Sequence, residues 1–302
     1  MKTALLFCLV LPAGVALGED CDADCGGDPV WTDAVWRPLD TLEVFGGYEG
    51  FKQPYDFGVN AHNGGRVHLN WAAPLWAEAN LGFQAGTALT LTDHAVRVTD
   101  QIDGASSTRQ SYTTLGVFQR LDSGWSWGAV YDILAQDDYS ANVLTQVRGR
   151  VARYVTPCDE VGVFGNGPLE GDTGDWAGLP IALDPVAMGA AFWRHQWKKG
   201  PETTLWLGVS EGVTRGNVAT GDDKRIGERL LYGADVHVPL SDRVALFGEA
   251  NFITPANAGT VDAYLGFAFY PGRRADGFRR QRFAPLIPAA SNPTFVVDGT
   301  RR

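Results

Sequence analysis

The residue types that perform chemistry are present in this chain but scattered. Five histidines, at 62, 68, 94, 195 and 237, show no H-E-x-x-H or other metal-ligand spacing. "GVSEG", Gly208 to Gly212, matches G-x-S-x-G, but a nucleophile elbow needs a helix behind its serine. Here "VTRGNVATGDDK" follows, which reads as loop. Ser210 with His195 or His237 on a nearby strand is the hydrolytic grouping left to entertain. Cys21 and Cys25 form a C-x-x-x-C among acids, yet no second ligand pair completes a tetrahedral set. No glycine loop has the form that cradles phosphate. The sequence thus specifies no catalytic residue, no cofactor site and no metal site, and a non-enzymatic protein is expected.

The elements that would position these residues start with a leader. Lys2, the apolar "ALLFCLVL" and the small-x-small Ala16-Leu17-Gly18 describe a secretory signal peptide over residues 1–18. No later stretch approaches the roughly 18–20 apolar residues of a spanning helix. Composition points to an all-β chain: 37 Gly, 11% aromatics, only 2 Met and 20% charged residues among 302. The net charge of −10 argues against nucleic acid as a partner, because phosphate binding needs a basic face.

Strict alternation supplies the strands. Leu81, Phe83, Ala85, Leu89 and Leu91 oppose Gly82, Gln84, Gly86, Ala88, Thr90 and Thr92. Val261, Ala263, Leu265, Phe267 and Phe269 oppose Asp262, Tyr264, Gly266, Ala268 and Tyr270. Twelve such segments fall near 41–49, 65–72, 80–92, 109–121, 125–136, 144–155, 160–166, 186–197, 203–211, 230–239, 244–251 and 260–270. Most match the nine to eleven residues with which a tilted strand crosses a bilayer. Every second link is short ("APLWAEA", "DSG", "PCD", "KKGPE", "SD"), and those between are mostly long and rich in Gly, Asn, Asp or Ser. That alternation is expected of an antiparallel up-and-down transmembrane β-barrel with short periplasmic turns and longer outer loops. The alternative is a secreted soluble β-sandwich that binds carbohydrate through its aromatics.

An even strand count puts both termini on the short-turn side. The expected organisation is a signal peptide (1–18), an N-terminal periplasmic segment (19–38), a barrel (39–271) and a basic, Pro-containing tail (272–302). Cys158, in a short turn, would then face Cys21 and Cys25, so a disulfide from Cys158 to one of them is one expectation and a local Cys21–Cys25 loop the other. Trp71, Trp76, Trp125, Trp127, Tyr154, Trp197 and Tyr270 fall at short-turn strand ends and suggest an aromatic girdle. Candidate lumen-lining residues are Arg66, His68, Asp132, Arg148, Arg150, His195, Asp235, His237, Glu249 and Asp262. Their mixed signs favour mutual pairing over a solute filter. The tail, with Arg273, Arg274, Arg279, Arg280 and Arg282, has three fates: a disordered tether, the default expectation, an envelope contact, or a segment folded into the lumen against Asp132, Asp235, Glu249 and Asp262, with the apolar "FAPLIP" and "TFVV" as grounds for docking.

"GFKQPYDFGVNAH" (50–62), "TDHAV" (92–96), "YTTLGVFQR" (112–120), "TPCDEVGV" (156–163), "ALFGEANFITPANAGTVDAYLGF" (245–267) and "RFAPLIPAASN" (282–292) carry a resemblance. They are similar to an uncharacterised family of exported planctomycete proteins, a domain of unknown function. The resemblance covers nearly the whole mature chain and implies a bacterial envelope protein of barrel type. It implies no activity or ligand. The expected function is a structural component of the bacterial outer membrane, or a narrow passive pore for small solutes, with membrane lipid as its surroundings.

Overall fold

The computed structural model describes residues 31, 36–56, 61–94, 107–138, 140–176, 179–198, 200–213, 227–254 and 260–301. The signal peptide, Cys21 and Cys25 lie outside the described residues. All twelve expected strands form, as β1 (Glu43–Lys52), β2 (His62–Trp76), β3 (Leu81–His94), β4 (Ser107–Arg120), β5 (Trp125–Asp137), β6 (Ala141–Tyr154), β7 (Asp159–Glu170), β10 (Met188–Gln196), β11 (Glu202–Ser210), β12 (Arg229–Pro239), β13 (Val244–Ile253) and β14 (Val261–Phe269). They close into one antiparallel barrel in which each strand pairs with its sequence neighbour and β14 returns to β1. The closing register sets Val44 opposite Phe269 and Lys52 opposite Val261. Closure removes every exposed sheet edge, and it excludes the two-sheet sandwich.

Alternation fixes which face each residue takes, because a strand has period two. Leu89, Leu91, Leu115, Leu205, Leu207, Leu265 and Phe267 are exposed on the outer wall, while Gln84, Thr90, Asp132 and Asp262 are buried inside. A soluble monomer seldom carries so continuous an apolar surface. One end of the barrel holds the short turns and both ends of the barrel chain. The other holds the longer links, except that β5 and β6 are joined there through 138–140 only.

Three strands were not expected. Within the long link after β7, β8 (Asp172–Trp176) and β9 (Leu179–Pro185) form a hairpin, and the last residues of the chain form β15 (Val297–Arg301). The three make a small sheet in the order β15-β9-β8. Since β14 ends at the turn end and β9 lies at the loop end, the chain between them must traverse the lumen. The disordered tether expected by default is therefore corrected: residues 272–301 are a plug. An eight-stranded barrel is filled by its own side chains, whereas twelve strands enclose a wider bore, which here the plug occupies.

Candidate functional site

The plug can be followed contact by contact. Beyond β14, Ala275 N–H donates to Asp242 of the β12–β13 turn (2.7 Å), and Arg280 reaches the Pro157 carbonyl in the β6–β7 turn. Arg282 pairs with Asp122 in the β4–β5 turn (2.7 Å), and Arg120 donates back to the Arg282 carbonyl (2.9 Å). The chain then climbs. Gln84 accepts from the Leu286 N–H (2.9 Å), Asn70 from the Ala289 N–H (2.7 Å), and Thr114 from the Ala290 N–H (2.9 Å). Arg148 donates to the Pro288 carbonyl (2.7 Å), Arg66 to Ala290 (3.1 Å), Asn251 to Pro293 (2.9 Å) and Gln146 to Thr294 (2.9 Å). At the loop end Val186 N–H reaches the Val296 carbonyl (2.8 Å), and β15 takes its place beside β9.

The sequence explains this conformation. Pro285, Pro288 and Pro293 have no N–H to bury and disfavour helix. The remaining backbone groups must find side-chain partners, since a buried unpaired one costs about 1–3 kcal/mol. Inward-facing amides and hydroxyls on the wall supply them. Asn292 is the hub: its Oδ1 accepts from Gln53 Nε2 (3.0 Å), Gln110 Nε2 (3.1 Å) and Tyr112 OH (2.9 Å), and its Nδ2 donates to Glu49 (3.0 Å) and Gln110 Oε1 (2.9 Å). Apolar packing completes the seat, with plug residues Ala289, Ala290, Phe295 and Val297 clustered with Tyr112, Leu134 and Leu144 of the wall. Gly86 allows a close approach within the lumen, where an added Cβ would sit 2.9 Å from that of Ala289.

Of the ten candidate lumen residues, nine point inward. Asp132 holds Arg148 through both carboxylate oxygens (2.6 and 3.0 Å) and accepts from Thr114 (2.7 Å) and Gln146 (3.0 Å). Arg66 lies 3.6 Å from Glu49 and over the Tyr264 ring at 4.9 Å. His68 contacts Glu43 (3.2 Å) and stacks on Phe45. Arg150 donates to Glu160 (2.7 Å), His237 meets the Tyr270 hydroxyl (2.8 Å), and Glu249 accepts from Tyr264 (2.7 Å). Asp262 is fully buried, and neither carboxylate oxygen has a hydrogen-bond partner among the described residues. Of the tail arginines only Arg279 meets an expected partner, Asp235 at 3.0 Å, with Glu202 at 3.6 Å. Mutual pairing accounts for most of these charges.

His195 is corrected to the outer face. On β10 the inward positions are Met188, Ala190 and Phe192, so Arg194 faces the lumen and His195 turns away. It bonds Asp159 (2.8 Å), which also accepts from Trp193 Nε1 (2.8 Å), and lies edge-on to Trp197 at 4.6 Å. Period two identifies this once the phase of β10 is anchored on Phe192. The girdle is corrected at two positions. Trp76, Trp125, Trp127 and Trp197 are exposed, but Tyr270 is fully buried and donates to Glu43 (2.9 Å). Tyr154 packs edge-on against buried Trp31, which closes the turn end by donating to the Leu121 carbonyl (2.9 Å).

Sequence reasoning missed a buried group at the loop end. Asp56 contacts His62 Nε2 (2.7 Å), His62 Nδ1 contacts Thr108 Oγ1 (3.1 Å), and Thr108 donates to Asp138 (2.8 Å). Three of these carry donor atoms close enough to surround an ion, Asp56, His62 and Asp138, and direct hydrogen bonds run through the same residues. They come from the segment before β2, β2 itself, β4 and the end of β5, and meet only inside the closed barrel, so no spacing in the sequence signals them. The hydrolytic grouping does not assemble. Ser210 sits at the loop end of β11, whereas His195 and His237 pair with Thr203 and Glu202 at its turn end. Seven or eight residues at about 3.3 Å each put either histidine roughly 23 Å or more from Ser210.

The class is therefore an all-β closed barrel of twelve strands whose bore is filled by its own C-terminal segment. Within that class the chain belongs to a family of unknown function, DUF6666, whose sequence profile matches residues 41–297. No curated protein matches it in sequence. In fold it is similar to an outer membrane channel from Pseudomonas putida F1, with TM-score 0.57 and 12% identity over 78% of this chain and 96% of that one. It is also similar to the KdgM porin in complex with disordered oligogalacturonate, with TM-score 0.42 and 9% identity over 75% of this chain and 98% of that one. Salmonella typhi outer membrane phospholipase aligns with TM-score 0.42 and 11% identity over 80% and 95% of the two chains.

Proposed function

We propose that this protein is a bacterial outer-membrane β-barrel closed at rest by its own C-terminal segment, a structural component of the envelope with no chemistry of its own. The observation that carries the reading is the plug: a chain that enters at the turn end, is hydrogen-bonded to the wall along its climb and joins β9 through β15 at the loop end occupies the bore. The apolar outer wall and the tryptophans at the turn-end rim support lipid as its surroundings. With the short turns facing the periplasm, buried Cys158 would lie on the side where the N-terminal segment is expected, and non-reducing peptide mapping should find it joined to Cys21 or Cys25.

Two measurements test the reading. The protein should stay in the membrane fraction after carbonate washing and change gel mobility on boiling. Full-length protein in planar bilayers should show no steady open channel. Release by carbonate would remove the membrane assignment, and a steady ohmic conductance from the intact chain would restore the narrow passive pore.

A further inference from the structure

The plug does not fill the lumen evenly. Between it and the wall formed by β6, β7 and β10–β13 remains a cavity of about 160 Å³. One part is apolar, made by Phe164, Phe192, Trp206, Met188 and Leu231. The rings are already set for an aromatic guest: Phe164 lies 6.2 Å from Phe192 and meets Trp206 edge-on at 6.0 Å, within the range of favourable aromatic pairs.

The adjoining part is cationic. Arg120, Arg150 and Arg194 line it with one carboxylate among them, Glu160. Arg150 and Arg194 share a single oxygen of that carboxylate, at 2.7 and 3.0 Å. Arg120 is buried and spends its guanidinium on backbone carbonyls of the plug. The Nε of Arg120 and that of Arg150 have no hydrogen-bond partner. Glu202 and Asp235 follow on the adjoining β11 and β12 and are engaged by Arg279, so the unpartnered donors of the cluster are those of Arg120 and Arg150. A buried donor left without an acceptor is costly, and guanidinium groups hold carboxylates through paired donors. Arg150 joins the two parts, its guanidinium 4.4 Å above the Phe192 ring.

We infer that this cavity binds a small aromatic carboxylate, of benzoate size, with its ring among Phe164, Phe192 and Trp206 and its carboxylate on Arg150 and Arg194. The volume fits: an apolar protein cavity of about 150 Å³ accommodates benzene. The inference holds whether or not the barrel conducts, since the cavity lies beside a seated plug.

The test is calorimetric titration of purified full-length protein in detergent, with empty micelles as the blank. The probes are benzoate, benzyl alcohol, benzylamine and acetate. Saturable one-to-one binding of benzoate is expected, at least tenfold tighter than that of the other three. Arg150→Gln should weaken benzoate tenfold or more while the protein keeps its heat-dependent gel shift. Heat that matches empty micelles, equal affinity for benzyl alcohol or benzylamine, or unchanged affinity in folded Arg150→Gln would each overturn the site. Should that variant fail to fold, the probe series on the native protein decides alone, and Phe192→Leu, which removes the ring at similar volume, should cost benzoate far more than acetate.

Discussion

The two sides of the lumen treat the plug differently. On β2 to β6 the wall presents amides and hydroxyls, from Asn70, Gln84, Gln110, Thr114 and Gln146, together with the guanidinium groups of Arg66, Arg120 and Arg148, and these meet its backbone and Asn292. On β7 and β10 to β12 it presents aromatic rings and charged groups that pair with one another, and the plug stands off to leave the cavity. Groups hydrogen-bonded to the plug match its particular backbone, while rings and charges not spent on it tolerate a gap or a guest. The first side accounts for closure, the second for whatever selectivity the barrel has.

Removing the plug erases the comparison and should have the largest effect. Deletion of residues 272–302 should turn a silent bilayer into a conducting one, a rise of at least tenfold, and lower the temperature at which the folded gel band is lost. Unchanged conductance and heat stability would mean that the plug does not close the barrel. Asp132→Ala comes next, because it strands Arg148 on the gripping side. Breaking a buried pair from one end costs about 3–5 kcal/mol, so the folded band should convert at distinctly lower temperature.

Much of the barrel was legible in the sequence, because side-chain period and link length are local properties. Leu265, Phe267 and Asp262 took the faces that alternation assigns. The plug was not legible, since its partners lie far away in the chain: Asn292 meets Gln110 across 182 residues. Its signals were present without a key. Gly86 and Gly128 read as small inward residues, yet their missing side chains make room for Ala289 and Leu286. A basic, proline-containing tail left disorder as the default, but Arg273, Arg274, Arg279 and Arg282 find carboxylates and the prolines spare donors that a lumen could not satisfy. Tyr270 shows the same limit, as its position suggested an interface and its phase turned it inward onto Glu43. The charges of Arg150 and Arg194 became a site only when β10 closed on β7.

A paired truncation sharpens the contrast in packing. Leu134 is sealed against the plug cluster with Phe295, whereas Leu231 borders the cavity. Leu→Ala costs about 2–5 kcal/mol, rising with the void it leaves. Leu134→Ala should fall near the top of that range. Leu231→Ala removes atoms that already lack neighbours on one side, so it should fall near the bottom. Thermal conversion of the gel band ranks the two, and equal shifts would show that both sides are packed alike.

The smallest effect is expected at the plug's entry and bounds how far the grip extends. Arg274 pairs with Asp242 at 3.2 Å, but both side chains are more than 70% exposed. An exposed pair is worth about 0–1 kcal/mol, because water screens it and two long side chains lose freedom to form it. Arg279, five residues further on, is instead largely buried against Asp235 and Glu202 and reaches the Phe247 ring at 5.0 Å. Arg274→Ala should therefore leave heat conversion and conductance unchanged, while Arg279→Ala strands two carboxylates and should lower the conversion temperature. Equal losses from the two would mean that the plug is held from its entrance, and that the hydrogen bonds along β2 to β6 contribute little to closure.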